Sequence, residues 1–311
     1  MSKRGIMCKG KIFLPFVGFL LAAIILIAVF VNWRTAPYDD QLYYDAFQKH
    51  YGIYSLPTPA HLEFAGEPVP MHLWDVQERF DRELLVNTYW QSNMLLYLKR
   101  ANRWFPLIDP ILKANGIPED FRYLALIESG FLNAVSPAGA AGFWQILEST
   151  GRELGLEVNE HVDERFHPVK STEAASRFLT NARNRFGSWT LAAAAYNIGP
   201  ARLGRILQTQ MQSGYYDLHL NEETSRYVFR ILAVKTILDN PARYGFHLRT
   251  KDLYPIIPQR TVSVDTAITN LAAFAIAQGT NYKTLRLLNP WLRTNELPRN
   301  PGKTYQISLP L

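Results

Sequence analysis

A glutamate near the end of an apolar helix is the first residue in this sequence that could do chemistry. Pro118 suits the first turn of a helix and Glu119 and Asp120 complement its positive pole, after which FRYLALIES runs to Gly130. Phe121, Leu124, Ala125 and Glu128 fall at i, i+3, i+4 and i+7, so one carboxylate lies on the apolar stripe close to the negative pole. Loss of water and that pole both penalise the ionised form and raise its pKa. A carboxylic acid still protonated near neutral pH can serve as general acid toward a glycosidic oxygen. The same position equally suits a glutamate that only forms an ion pair at a helix end.

Two further clusters carry polar groups among small residues. The stretch SPAGAAGFWQI, from Ser136 to Ile146, packs Gly139, Ala140, Ala141 and Gly142 into one turn and is expected to start a helix at Phe143, Trp144 and Gln145. Small residues there admit a close approach, by a ligand or by another helix. Trp144 and Gln145 offer an aromatic plate and an amide, groups suited to a sugar ring and its acetamido arm. Ala192 to Ala195 form a small-residue helical face, and Tyr196 and Asn197 are the polar exceptions at its end. The seven histidines include no HExxH pair, and there is no GxSxG elbow or phosphate-binding glycine loop. Metalloprotease, serine hydrolase and nucleotide-dependent chemistries lack their parts.

The elements that must position these groups read as helices. Between about 76 and 247, long apolar-periodic runs are punctuated by Gly and Pro, with few alternating strand patterns. One helix is expected from about Asp81 to Arg103, another from Pro106 to the Asn115-Gly116 pair, and a later one from Ser171 to Phe186 before Gly187. After Tyr254-Pro255 the order changes to a strand at Thr261 to Val264, helices near Ile268 to Ala277 and Tyr282 to Leu288, and a strand at Tyr305 to Leu309.

With 311 residues, 48% hydrophobic and 19% charged, the chain has ample material for a core. Its lone Cys8 forbids an intramolecular disulfide. The net charge of +6 is distributed unevenly: residues 35–247 hold 20 basic against 24 acidic side chains, while 248–311 hold 8 against 3. No nucleic-acid partner is implied, because much of the excess sits in the first 34 residues. There, residues 12–33 form an uncharged apolar run long enough to span a bilayer as a helix, preceded by Lys3, Arg4, Lys9 and Lys11. This pattern predicts a short cytoplasmic stub at 1–11, a single-pass membrane anchor and an extracytoplasmic remainder, with a cleaved signal peptide as the competing reading. Residues 34–75, broken by Pro37, Pro57, Pro59, Pro68 and Pro70, read as a tether.

Four segments taken in order, IESGFL (127–132), SPAGAAGFWQI (136–146), AAYNIGPA (194–201) and ETSRYVF (223–229), resemble the motifs of lytic murein transglycosylases with a goose-lysozyme-like catalytic domain. The likeness is greatest to the membrane-bound D-type branch, in which the second motif carries Trp where others carry Met. It implies a mainly α chain: a lysozyme-like domain over 76–247, preceded by the membrane helix and followed at 248–311 by a small α+β module similar to a LysM glycan-binding unit, with a degenerate module that only packs on the catalytic body as the alternative.

By that resemblance Glu128 is the acid/base, Ser129 fixes hydrogen bonding beside it, and Ser136, Trp144 and Gln145 contact the glycan. Tyr196 is expected near the reacting sugar, Asn197 to support its turn, and Tyr227 to wall the cleft. The partner implied is the peptidoglycan strand, with no metal or organic cofactor; protein partners are not legible. The implied reaction cleaves the bond between N-acetylmuramic acid and N-acetylglucosamine and leaves a 1,6-anhydromuramyl end. A muramidase-type hydrolase and an inactive wall-binding scaffold are the competing readings. Two residues depart from the pattern: His167 stands where an Asp is expected, and Glu148 replaces a common proline.

Overall fold

The computed structural model describes residues 52–311, together with Asp45 and Lys49. The expected stub, the anchor at 12–33 and the first part of the expected tether lie outside the described residues. Among the described residues no helix is long and apolar enough to cross a membrane. The chain divides into two units, Met1–Tyr54 and Ser55–Leu311, and the second holds all the elements named below.

The end of the expected tether is part of the folded body. Glu63–Phe64 (β1) and Glu67–Pro68 (β2) pair antiparallel across Ala65 and Gly66, whose φ angles of 53° and 77° suit a two-residue hairpin. Phe64 is fully buried, edge-on to Phe121, and Val69 and Met71 join the same core. Prolines blocked a helix in this segment but not its burial.

Eight helices follow: α1 Trp74–Tyr89, α2 Gln91–Ala114, α3 Phe121–Ser129, α4 Glu148–Glu153, α5 Pro168–Phe186, α6 Trp189–Ile198, α7 Pro200–Gln210 and α8 Glu222–Asp239. The break expected between 103 and 106 falls instead at Trp90, and α2 runs on through Pro106 and Pro110. Each proline removes one donor, but Asn102, Pro106 and Pro110 share the exposed side of α2, where water can satisfy the carbonyls left open.

α8 is buried on most of its circumference and packs against α1, α3 and α6. Asn221 caps it, accepting the Thr224 N–H at 2.8 Å. The run Ala192–Ala195 is fully buried, its small side chains letting α6 lie close to α5 and α8. Glu67, from the hairpin, meets the positive pole of α6: its carboxylate accepts the Trp189 and Thr190 N–H groups at 2.6 and 2.9 Å and both the Ser188 and Thr190 hydroxyls.

The connection to the last module is pinned to α2, with Arg103 donating to the Pro255 carbonyl and Asn102 to that of Tyr254. The module has the expected order. Strand β3, Gln259–Val264, pairs antiparallel with β4, Tyr305–Pro310, with Val262 opposite Ile307, and α9 Leu271–Ala277 and α10 Tyr282–Leu288 cover the pair. Asn270 and Asn281 cap the two helices. Leu271, Leu285, Trp291, Ile307 and Leu309 form its core.

Candidate active site

α3 ends where Gly130 and Phe131 both turn left-handed, at φ 60° and 55°. A Cβ at Gly130 would also stand 3.0 Å from Arg100 Nη1 and from Tyr97 Cε1, so both side chains would have to give to admit it. Arg100 also donates to the Gly130 carbonyl at 3.1 Å, so α2 holds the end of α3 in place. Beside this turn lies a cavity of about 210 Å³ lined by Asn93, Tyr97 and Arg100 of α2, by Glu128, and by Ser136 and Gln145. A larger groove of about 610 Å³, around Asn115, Glu153 and Arg177, contains none of the residues expected to do chemistry.

Glu128 is largely enclosed and reaches this cavity from the last turn of α3. The Tyr227 hydroxyl donates to its Oε1. Burial raises the pKa of Glu128 above the ordinary carboxylate range, with the charge of Glu223 adding to the rise; the Tyr227 hydrogen bond and the nearby Arg230 guanidinium oppose it, and burial prevails. Tyr227 is itself pushed well up, chiefly by burial and then by Glu128, so its phenol keeps its proton and acts as donor. With that donor on Oε1, Oε2 is the oxygen left to carry a proton when the carboxyl binds one.

The loop from Ala134 to Ile146 forms the opposite wall. The helix expected at Phe143 is a tight turn instead, closed by reciprocal N–H to carbonyl bonds between Ala141 and Ile146, and the helix starts only at Glu148. Gly142 at φ 77° and Gln145 at φ 47° are the conformations that forbid it. The Ser136 hydroxyl accepts the Ala140 N–H at 3.0 Å, and the Gln145 amide donates to the carbonyls of Ala134 and Gly142 at 3.1 and 2.9 Å. The Ser129 hydroxyl donates to the Phe143 carbonyl at 2.8 Å, fastening the loop to the end of α3.

Glu128, Ser129, Ser136 and Gln145 are thus brought together at one cavity, whereas the other four expected residues are not part of its lining. Trp144 is fully buried and donates its indole N–H to the Thr172 hydroxyl at 2.9 Å, so the expectation of a sugar-stacking plate is corrected: its ring is core. Tyr196 donates to the Trp144 carbonyl at 2.6 Å and supports the loop from beneath. Asn197 donates to Glu223 at 3.0 Å and accepts from Thr224 at 2.7 Å, joining α6 to α8. Tyr227 is buried rather than walling the cleft, and only its hydroxyl meets the acid.

His167 stands at the start of α5 without a side-chain capping bond, and there burial, with help from Lys170, pushes it down to about 4, so it is neutral near pH 7. Asn93, Tyr97 and Arg100 were missed. Their spacing of i, i+4 and i+7 places them on one face of α2, a signal already legible within the helix expected from Asp81 to Arg103.

Residues 107–218 match the family described as Transglycosylase SLT domain, and residues 260–311 match the soluble lytic transglycosylase C-terminal LysM-like domain. The chain therefore carries an SLT transglycosylase domain followed by a LysM-like domain. Over 159 residues it is 38% identical to membrane-bound lytic murein transglycosylase D of Escherichia coli (strain K12), a match covering 49% of this chain and 35% of that protein. The counterpart from Escherichia coli O6:H1 gives the same figures. The chain spans about a third of the length of these relatives. A solved structure of an inactive mutant of lytic transglycosylase Slt from Pseudomonas aeruginosa aligns at 19% identity and a TM-score of 0.36, over 58% of this chain and 35% of that one.

Proposed function

We propose that this protein is a peptidoglycan lytic transglycosylase that breaks the β-1,4 bond between N-acetylmuramic acid and N-acetylglucosamine with Glu128 as its single acid/base. The observation that carries the reading is the enclosed Glu128, its pKa raised by burial and its Oε1 held by Tyr227, in an SLT domain. Protonated at Oε2, Glu128 gives its proton to the glycosidic oxygen as the bond to C1 of the muramyl sugar breaks. The sugar becomes oxocarbenium-like, and its own acetamido oxygen shares the positive charge. The resulting carboxylate, stabilised by Tyr227 and by the charge of Arg230, takes the proton of the C6 hydroxyl as that oxygen closes on C1. The product is a 1,6-anhydro ring, and Glu128 ends as it began.

A retaining hydrolase would need a second carboxylate as nucleophile. Glu223, the carboxylate whose charge acts on Glu128, is exposed and accepts from Asn197, which supports the cyclising route. Ser136 and Gln145 on one wall and Asn93 and Arg100 on the other are placed to hold the sugar. The uncharged run at 12–33 and the name of the E. coli relatives support a membrane-anchored enzyme facing the periplasm. The test is Glu128→Gln in the full chain, assayed on purified sacculi. Soluble muropeptides are expected to vanish while the variant still sediments with sacculi; turnover retained by this variant would remove Glu128 from its role.

A further inference from the structure

The core of the C-terminal module does not end at the module. Ala141, Val162 and Phe166, from the catalytic body, are buried in the same apolar cluster as Leu271, Leu292 and Ile307. Of these, Ala141 belongs to the loop that carries Ser136 and Gln145 to the cavity. One wall of the candidate site and the module thus share an apolar cluster through the 162–166 segment.

A polar path runs parallel to this contact. Residues 161–163 lie against the module as a short strand: Val162 bridges Leu292, the Asp163 N–H donates to the Trp291 carbonyl at 2.8 Å, and the Arg293 N–H donates to that of His161 at 2.8 Å. Asp163, fixed in this way, takes Arg165 in a two-pronged pair, with Nε at 2.9 Å and Nη2 at 2.7 Å. The remaining nitrogen, Nη1, donates to the carbonyls of Gly139 at 3.0 Å and Ile146 at 3.2 Å, on either side of the turn. Asp163 and Arg165 are both nearly fully buried, so water cannot replace these bonds. The backbones also touch: a Cβ on Gly142 would stand 1.9 Å from the Arg165 carbonyl oxygen.

We propose that the LysM-like module acts as a brace for the substrate loop, with Arg165 as a positioning residue that transmits its contact through Asp163 to Gly139 and Ile146. This rests on the function proposed above for what the loop positions, though the brace itself is a mechanical claim. A module serving only to bind wall polymer would need neither the shared core nor a buried guanidinium spanning the turn. Through the brace, docking of the module and shaping of the cavity become one event. Ser136 and Gln145 gain fixed places relative to Glu128, which is what orientation-dependent catalysis requires.

The test uses the full chain, with Arg165→Met, Arg165→Lys and, from the module side, Arg293→Ala, whose guanidinium lies 4.2 Å over the Phe166 ring. Hydrogen exchange is followed at the Ala141, Gly142 and Ile146 amides, alongside turnover of a glycan fragment too short to reach the module. In Arg165→Met the loop amides should exchange about tenfold faster while those of α3 and α8 are unchanged. Turnover of the short glycan should fall with sacculus binding retained, and Arg165→Lys should recover part of both. Should Arg165→Met not fold, Arg293→Ala must move the loop amides in the same direction. Unchanged loop exchange, or exchange raised equally throughout the chain, overturns the brace; so does a loss of activity confined to whole sacculi. If the wild type turns over no glycan, the proposed function fails, and the exchange comparison still decides the brace.

Discussion

The phenol of Tyr227, on α8, donates to Oε1 of Glu128, at the end of α3, and so joins a long core helix of the body to the carboxyl group proposed to do the chemistry. This bond favours the ionised acid, against the burial that favours the neutral one. Replacing Tyr227 with Phe removes a term that lowers the Glu128 pKa and leaves burial unopposed by it. The activity limb that falls as pH rises, where the acid loses its proton, should therefore move to higher pH in Tyr227→Phe. The rate at the optimum should also fall about tenfold or more, because the carboxyl loses its anchor. Rate against pH for wild type and variant decides this; a limb that stays put or moves down contradicts it.

Glu67 offers a stability test far from the cavity. Burial disfavours its charge, but hydrogen bonds from Thr190, Trp189 and Ser188 outweigh that and hold its pKa below the 4.5 expected of an unfolded chain. A carboxyl depressed in the folded state adds stability that is complete above its unfolded pKa and is lost as pH falls through its lower folded value. Glu67→Ala should cost about 1–2 kcal/mol at neutral pH, as loss of a helix cap does. The difference from wild type should shrink below pH 4.5, which urea unfolding at the two pH values can measure.

Two glycines with positive φ should respond differently to a methyl group. Gly155, at φ 83°, has open space where a Cβ would go, so Gly155→Ala should cost only the left-handed strain, about 1–2 kcal/mol. Gly142, at φ 77°, faces the Arg165 carbonyl at 1.9 Å, and backbone must shift to admit a Cβ. Gly142→Ala should cost about 3 kcal/mol or more. Equal denaturation midpoints for the two variants would mean that the loop and the 163–166 segment are not in contact.

Much of this arrangement was legible because the local signals agreed with the tertiary ones. The apolar stripe of α3 placed Glu128, and Gly130 marked the end of its helix. The strand alternation and Asn caps of the last module likewise followed from neighbours in sequence. What escaped depended on distant partners. Trp144 beside Gln145 reads as a sugar plate until Thr172, on another helix, is seen to accept its N–H. The prolines before residue 75 signalled irregular chain, yet no local pattern announced that Phe64 meets Phe121. The continuation of α2 through Pro106 depended on which side of the helix faces water. Nothing local in the sequence announced that Asp163 and Arg165 are buried as a pair beside the turn.

The central claim is that the sugar closes on itself and water takes no part. It is tested most directly by digesting purified sacculi with the full chain in water enriched in heavy oxygen and weighing the new muramyl ends. Ring closure by the C6 hydroxyl predicts anhydro ends carrying no heavy oxygen. Reducing ends that carry the label at C1 would mean that water attacked, and the cyclising account would be wrong.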